Sequence, residues 1–190
     1  MRNIFLMIIF MISCSDFQEQ EQILDYEEYI YQGWNAFETV NLNELSQDNT
    51  NAYYYELALD MFTVSLQAID YEFASQGFVG PAVKSYNGIG WTQLYYASEF
   101  LEPSVHYIRD SLRQESKISF DNAYNNLIDD SDLLTTQDSC NTYSGLAYIN
   151  YYLGFDNSDF ESSLNYSDTL LNIKSNYHFE HDEFYDLMEL

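Results

Sequence analysis

A small residue followed by a large aromatic recurs in this chain at a constant interval. Gly33-Trp34, Gly90-Trp91 and Ala147-Tyr148 stand 57 residues apart in each step. The second and third copies agree further, since Ser85-Tyr86-Asn87-Gly88-Ile89-Gly90-Trp91 lies over Thr142-Tyr143-Ser144-Gly145-Leu146-Ala147-Tyr148. A fixed period of this kind belongs to stacked repeats, in which each unit buries its apolar face only against its neighbours. The small position lets two helices approach closely, and the aromatic fills the space beside it.

Each copy sits in a segment with helical apolar spacing. Ile23, Tyr26, Ile30, Trp34 and Phe37 step by three and four, as do Val83, Tyr86, Gly90, Leu94 and Ala97. Gly80-Pro81 is a suitable start for the second of these helices, because Pro at the first helical position loses no hydrogen bond. Tyr143, Leu146, Ile149 and Leu153 mark the third, with Gly154 as its stop.

A second amphipathic segment follows each copy. In the first unit Tyr54 or Tyr55, Ala58, Phe62, Leu66 and Ile69 share a face after a polar loop from Asn43 to Asn51. In the third, Ser158-Asp159-Phe160-Glu161 has the form of a capping box opening a helix that runs through Leu164 to Leu171. The second unit holds two candidates, Pro103 to Gln114 and Ser119 to Leu134, one of which is expected to be an insertion.

These residues resemble the tetratricopeptide repeat (TPR), a helix-turn-helix unit that stacks into a right-handed superhelix. Its first-helix positions are matched by Ile30-Gly33-Trp34-Phe37, Asn87-Gly90-Trp91-Leu94 and Ser144-Ala147-Tyr148-Tyr151. Its second-helix Ala-x-x-x-Phe is matched by Ala58 and Phe62, and more loosely by Ser162 and Tyr166. The period here exceeds the family's usual length of about 34 residues, and the closing Pro is absent. The resemblance implies an all-α, TPR-like solenoid of about three helix-pair units with inserted loops, covering residues 23–190 as one domain.

The first residues carry a different signal. Arg2, an apolar run from Ile4 to Ile12, and Ser13-Cys14 have the charged start, short apolar core and small exit residue of a secretory signal. Nine apolar residues span only about 14 Å as a helix, roughly half of what a bilayer core requires. No membrane-spanning helix is expected. Met11-Ile12-Ser13-Cys14 resembles the lipobox of bacterial lipoproteins, which implies cleavage of residues 1–13, acylation of Cys14 and a tether over residues 14–22. Asp16 stands one residue too late for the familiar inner-membrane retention signal, so outer-membrane residence is the expectation. With Cys14 acylated, Cys140 has no partner in the chain and reads as a small buried apolar residue.

Charge excludes one class of partner. There are 31 acidic residues against 6 basic, and loss of Arg2 with the signal takes the formal charge from −25 to −26. Such a surface repels nucleic acid. Hydrophobic content of 46%, with 19 Tyr and 13 Phe, argues for a folded chain.

Chemistry-bearing patterns are scarce. His178-Phe179-Glu180-His181-Asp182-Glu183 could offer His178, His181 and Asp182 to a metal, but the His pair is three apart rather than four, and a solvated loop is the simpler reading. Asp129 to Asp132 and Asp156 to Asp159 lack the Gly and the terminal Glu of a calcium loop. No nucleophile elbow, Walker loop or dinucleotide fingerprint occurs. The sequence therefore points to a non-catalytic scaffold without a cofactor, binding a protein or peptide with a basic patch, or alternatively a small ligand or glycan. Gly33, Trp34, Ala58, Phe62, Gly90, Trp91, Ala147 and Tyr148 are the packing or groove positions. Their equivalent register favours inter-helix packing for Trp34 and Trp91, with lining of a concave groove as the alternative.

Overall fold

The computed structural model describes residues 25–42, 50–73, 79–129, 136–154 and 157–174. Among these the fold is all-α: α1 (Tyr26–Leu42), α2 (Thr50–Phe73), α3 (Val79–Ser98), a turn of 3₁₀ helix (Pro103–Val105), α4 (His106–Asp129), α5 (Thr136–Leu153) and α6 (Asn157–Ile173).

Local chemistry accounts for the helix ends. Asp25 caps α1 through Oδ1, which accepts from the Glu27 amide at 3.3 Å, and Glu27 and Glu28 face the positive end of the helix dipole. Pro81 falls in the first turn of α3, where its missing N–H costs nothing. α5 stops at Leu153, immediately before Gly154. Two boundaries differ from expectation by a residue or two. Thr50 and Asn51 already belong to α2, and α6 begins at Asn157, so Ser158 lies inside the helix it was expected to cap.

The larger correction concerns α4. Residues 106–129 form one unbroken helix, so neither candidate in the second unit is an insertion. The apolar pattern lapses at Glu115-Ser116-Lys117 because Ser116 is a buried polar residue. Its hydroxyl donates to the Gly90 carbonyl of α3 at 2.8 Å. A satisfied hydroxyl at a helix crossing looks like a break in periodicity when only the sequence is visible.

The helices pack as hairpins α1/α2, α3/α4 and α5/α6, with α2 also against α3 and α4 against α5. The first helices contact one another as well, α1 on α3 and α3 on α5. α3 is the centre of the array and is buried on nearly every side, including Val83, Ser85, Asn87, Trp91, Thr92 and Ala97. α6 is the end of the described array and leaves Phe160, Leu164 and Leu171 exposed.

Two phenylalanines lock the stack. Phe62 of α2 is fully buried, and a β-carbon added to Gly33 would stand 2.7 Å from its ring, one added to Gly88 2.4 Å. Phe120 of α4 repeats this between Gly90, at 2.8 Å, and Gly145, at 2.2 Å. Each ring is thus gripped by a glycine of its own hairpin and a glycine of the next. The grip includes the preceding aromatic, since Trp34 meets Phe62 edge-on at 5.2 Å and Trp91 meets Phe120 edge-on at 5.3 Å.

The third hairpin departs from this pattern. Ser163 donates to the Ala147 carbonyl at 2.6 Å, as Ser116 does to Gly90, so Ser163 rather than Ser162 holds the Ala58 position. Four residues on stands Ser167, not an aromatic. Tyr166 packs sideways on Tyr124 and Tyr143 instead, at 5.9 and 6.2 Å.

Candidate functional site

The repeat brings its predicted residues together in two groups. Gly33, Trp34, Ala58 and Phe62 meet at the α1/α2 crossing, with Ala58 and Phe62 fully buried. Gly90, Trp91 and Phe120 meet at the α3/α4 crossing, and Tyr148 of α5 joins them 6.4 Å from Trp91. Ala147 and Tyr148 are buried as well. Phe120 and Ser116 are the counterparts of Phe62 and Ala58 that the sequence pattern did not assign. The signal was present, since Ala58-x-x-x-Phe62 recurs 58 residues later as Ser116-x-x-x-Phe120.

The tryptophans separate into two roles. Trp91 on the central helix is fully buried. Trp34 on the outer helix α1 is half-buried and borders a cleft of about 480 Å³. That cleft is lined by Glu27, Ile30, Tyr31 and Trp34 of α1, Lys84 and Asn87 of α3, and Gln137, Asp138 and Asn141 of α5. Glu27, Lys84 and Asn141 stand 57 residues apart, as do Ile30 and Asn87, so the cleft is built from the same register of successive repeats. Its volume lies within the range of ligand pockets, about 300–1,000 Å³.

Hydrogen bonds across the floor of the cleft hold α3 to α5. Asn87, 1% exposed, donates through Nδ2 to the Asp138 carbonyl at 3.2 Å and accepts from Thr142 Oγ1 at 3.0 Å. Trp91 Nε1 donates to the Asn141 carbonyl at 3.3 Å, and Gln137 Nε2 donates to Asn141 Oδ1 at 3.1 Å. The rim is mixed, with Tyr31 62% exposed, Glu27 exposed, and Lys84 the one cation among the lining residues. Asn87→Ala is expected to lower stability by about 1–3 kcal/mol, since it strands acceptors and donors on α5. Urea denaturation measures this, and a change under about 0.5 kcal/mol, the range of ordinary surface substitutions, would show that the bridge carries no weight.

No protein-family model, curated protein or solved structure matches this chain.

Cys14 and the metal candidates His178, His181 and Asp182 lie outside the described residues. Among the described residues no group of three or more His, Cys, Asp or Glu side chains is placed to hold a metal ion, and no helix is long and apolar enough to cross a membrane. Cys140 is buried and free, and burial raises the pKa of its thiol.

Proposed function

We propose that the protein is a lipid-anchored, non-catalytic binding scaffold of the bacterial cell envelope, a short TPR-like solenoid that holds a basic protein or peptide segment in the cleft of α1, α3 and α5. The observation that carries this reading is the register of the cleft. Three successive first helices present Glu27, Lys84 and Asn141 to one surface at the repeat interval, with the rings of Tyr31 and Trp34 at its edge. Aromatic anchors in a concave surface are the usual source of affinity in such sites.

The solenoid reading is supported by the two phenylalanine locks, each joining one hairpin to the next. The anchor reading rests on the apolar run to Ile12 and on Met11-Ile12-Ser13-Cys14, with outer-membrane residence following from the position of Asp16. A basic partner follows from charge, because a surface near −26 attracts cations over a distance of about 10 Å at 0.1 M salt.

Association with a basic partner is therefore expected to slow by about tenfold or more between about 50 and about 500 mM salt, with less change in dissociation. Stopped-flow rates against ionic strength check it. A flat dependence would remove electrostatic capture and leave the aromatic edge as the source of affinity.

A second reading, capture of a glycan, is favoured by one specific juxtaposition. The rings of Tyr31 and Trp34 share the cleft with the planar amides of Gln137 and Asn141, which can stack on a sugar face and bond its hydroxyls. Pull-down from detergent-solubilised envelopes separates the two readings. A stoichiometric protein partner supports the scaffold, and a response to glycan alone supports the second.

A further inference from the structure

Three of the six basic residues in the whole chain lie on one face of one helix. Arg109, Arg113 and Lys117 follow at four-residue spacing on α4. Arg109 is held by Asp110 at 3.1 Å and Lys117 by Asp121 at 2.9 Å. Arg113, between them, is different. Among the described residues it pairs with no carboxylate, and its Nε is shielded from solvent without any acceptor. Its guanidinium carbon stands 4.5 Å from the centre of the Tyr152 ring on α5.

A second donor waits beside it. Tyr148 donates its hydroxyl hydrogen to Tyr152 Oη at 3.2 Å, and the Tyr152 hydrogen finds no acceptor among the described residues. Burial raises the pKa of the Tyr148 phenol, and burial followed by the neighbouring Arg109 lowers that of Arg113. A buried donor left unmade, as the Arg113 Nε–H is here, is costly. Asp110 and Asp121 stand on the same helix, but they are engaged by Arg109 and Lys117, and Arg113 is left without a hydrogen-bonded carboxylate among the described residues.

We propose that Arg113 and Tyr152 form a recognition site for the carboxylate of an organic monoanion. The planar fork of Arg113 offers donors that a carboxylate can accept with both oxygens, and the Tyr152 hydroxyl, on the ring that the guanidinium covers, offers another. The apolar body of such a ligand has a surface to rest on. Tyr151, 60% exposed, lies 6.1 Å from Tyr152 and 5.9 Å from Phe160, which is 41% exposed. The negative field of the chain selects against phosphate, since a dianion is repelled twice as strongly as a monoanion.

This site is separate from the cleft and does not depend on what the cleft binds. Tyr152 lies 11 residues beyond Asn141 on α5, roughly 16 Å along the helix axis.

Phenylacetate is a suitable probe, titrated at constant ionic strength while the Arg113 Nε–H resonance is followed by NMR and affinity is measured by calorimetry. A saturable shift of that resonance at millimolar concentration is expected. Arg113→Met should weaken binding by about tenfold or more, and Arg113→Lys, which keeps charge but loses the fork, by severalfold. Tyr152→Phe retains the ring beneath Arg113 and should still weaken binding about threefold, the worth of a modest hydrogen bond. This variant carries the test if Arg113→Met fails to fold. Inorganic phosphate should compete poorly. The proposal is overturned if wild-type protein shows no saturable shift, if phosphate binds as tightly as phenylacetate, or if Tyr152→Phe and whichever Arg113 variants fold bind as wild type does.

Discussion

Phe120→Ala is expected to destabilise the protein by about 3–5 kcal/mol, the range for removing a fully buried phenylalanine. The ring fills the space between α3 and α5, held by Gly90, Gly145 and the edge of Trp91, so its loss opens a cavity where two hairpins meet. At about 2–4 °C per kcal/mol for a chain of this size, the melting temperature should fall by roughly 10 °C. The reciprocal change acts on the same contact. Gly145→Ala places a methyl 2.2 Å from the Phe120 ring, which is clamped on its other side by Gly90. Overpacking of about 1–3 kcal/mol should outweigh the gain of about 1 kcal/mol that Ala brings to a helix interior. Combining Gly145→Ala with Phe120→Leu should relieve part of that cost, with a coupling of about 0.5–3 kcal/mol in a double-mutant cycle. A Gly145→Ala variant that melts at or above wild type would show that the ring is free to move and that the lock is not the joint between units.

On the proposed lipid anchoring, Cys14→Ala is expected to leave the protein soluble or retained as an unprocessed precursor. The size of the effect follows from what else could hold the chain to a lipid surface. Each buried methylene contributes about 0.8 kcal/mol, and durable anchoring needs more than one acyl chain or one chain plus a basic patch. With residues 1–13 removed as proposed, five basic residues stand against 31 acidic ones, so anionic head groups repel the chain as a whole. No described helix is long and apolar enough to substitute as a span. Without acylation, little affinity for the membrane remains. Metabolic labelling with a fatty-acid probe, followed by fractionation, is the measurement. Equal labelling and equal membrane recovery of the mutant would refute acylation at Cys14.

The sequence by itself determined that the chain would be helical, where most of its helices lie, and that a neighbouring helix would approach closely at Gly33, Gly90 and Ala147. Those features are local or periodic. Apolar spacing of three and four marks a buried stripe, and a small residue at a constant interval marks a close approach, wherever the neighbour comes from. The boundaries at Pro81 and Gly154 were legible for the same reason.

What lay beyond the sequence depended on partners distant in the chain. Ser116 interrupts the apolar pattern of α4, and only the Gly90 carbonyl 26 residues earlier explains why a hydroxyl can be buried there. The cleft was missed although its register was visible, because Glu27, Lys84 and Asn141 share a position but no chemistry. Trp34 and Trp91 occupy equivalent positions, and tertiary structure alone separated them. α3 is enclosed by α1, α2, α4 and α5, which buries Trp91 completely, whereas α1 lies at one end of the described array and leaves Trp34 at the cleft edge. Periodicity reports which face of a helix is apolar; how many neighbours cover that face is a property of the stack, and it decides whether the same aromatic is core or rim.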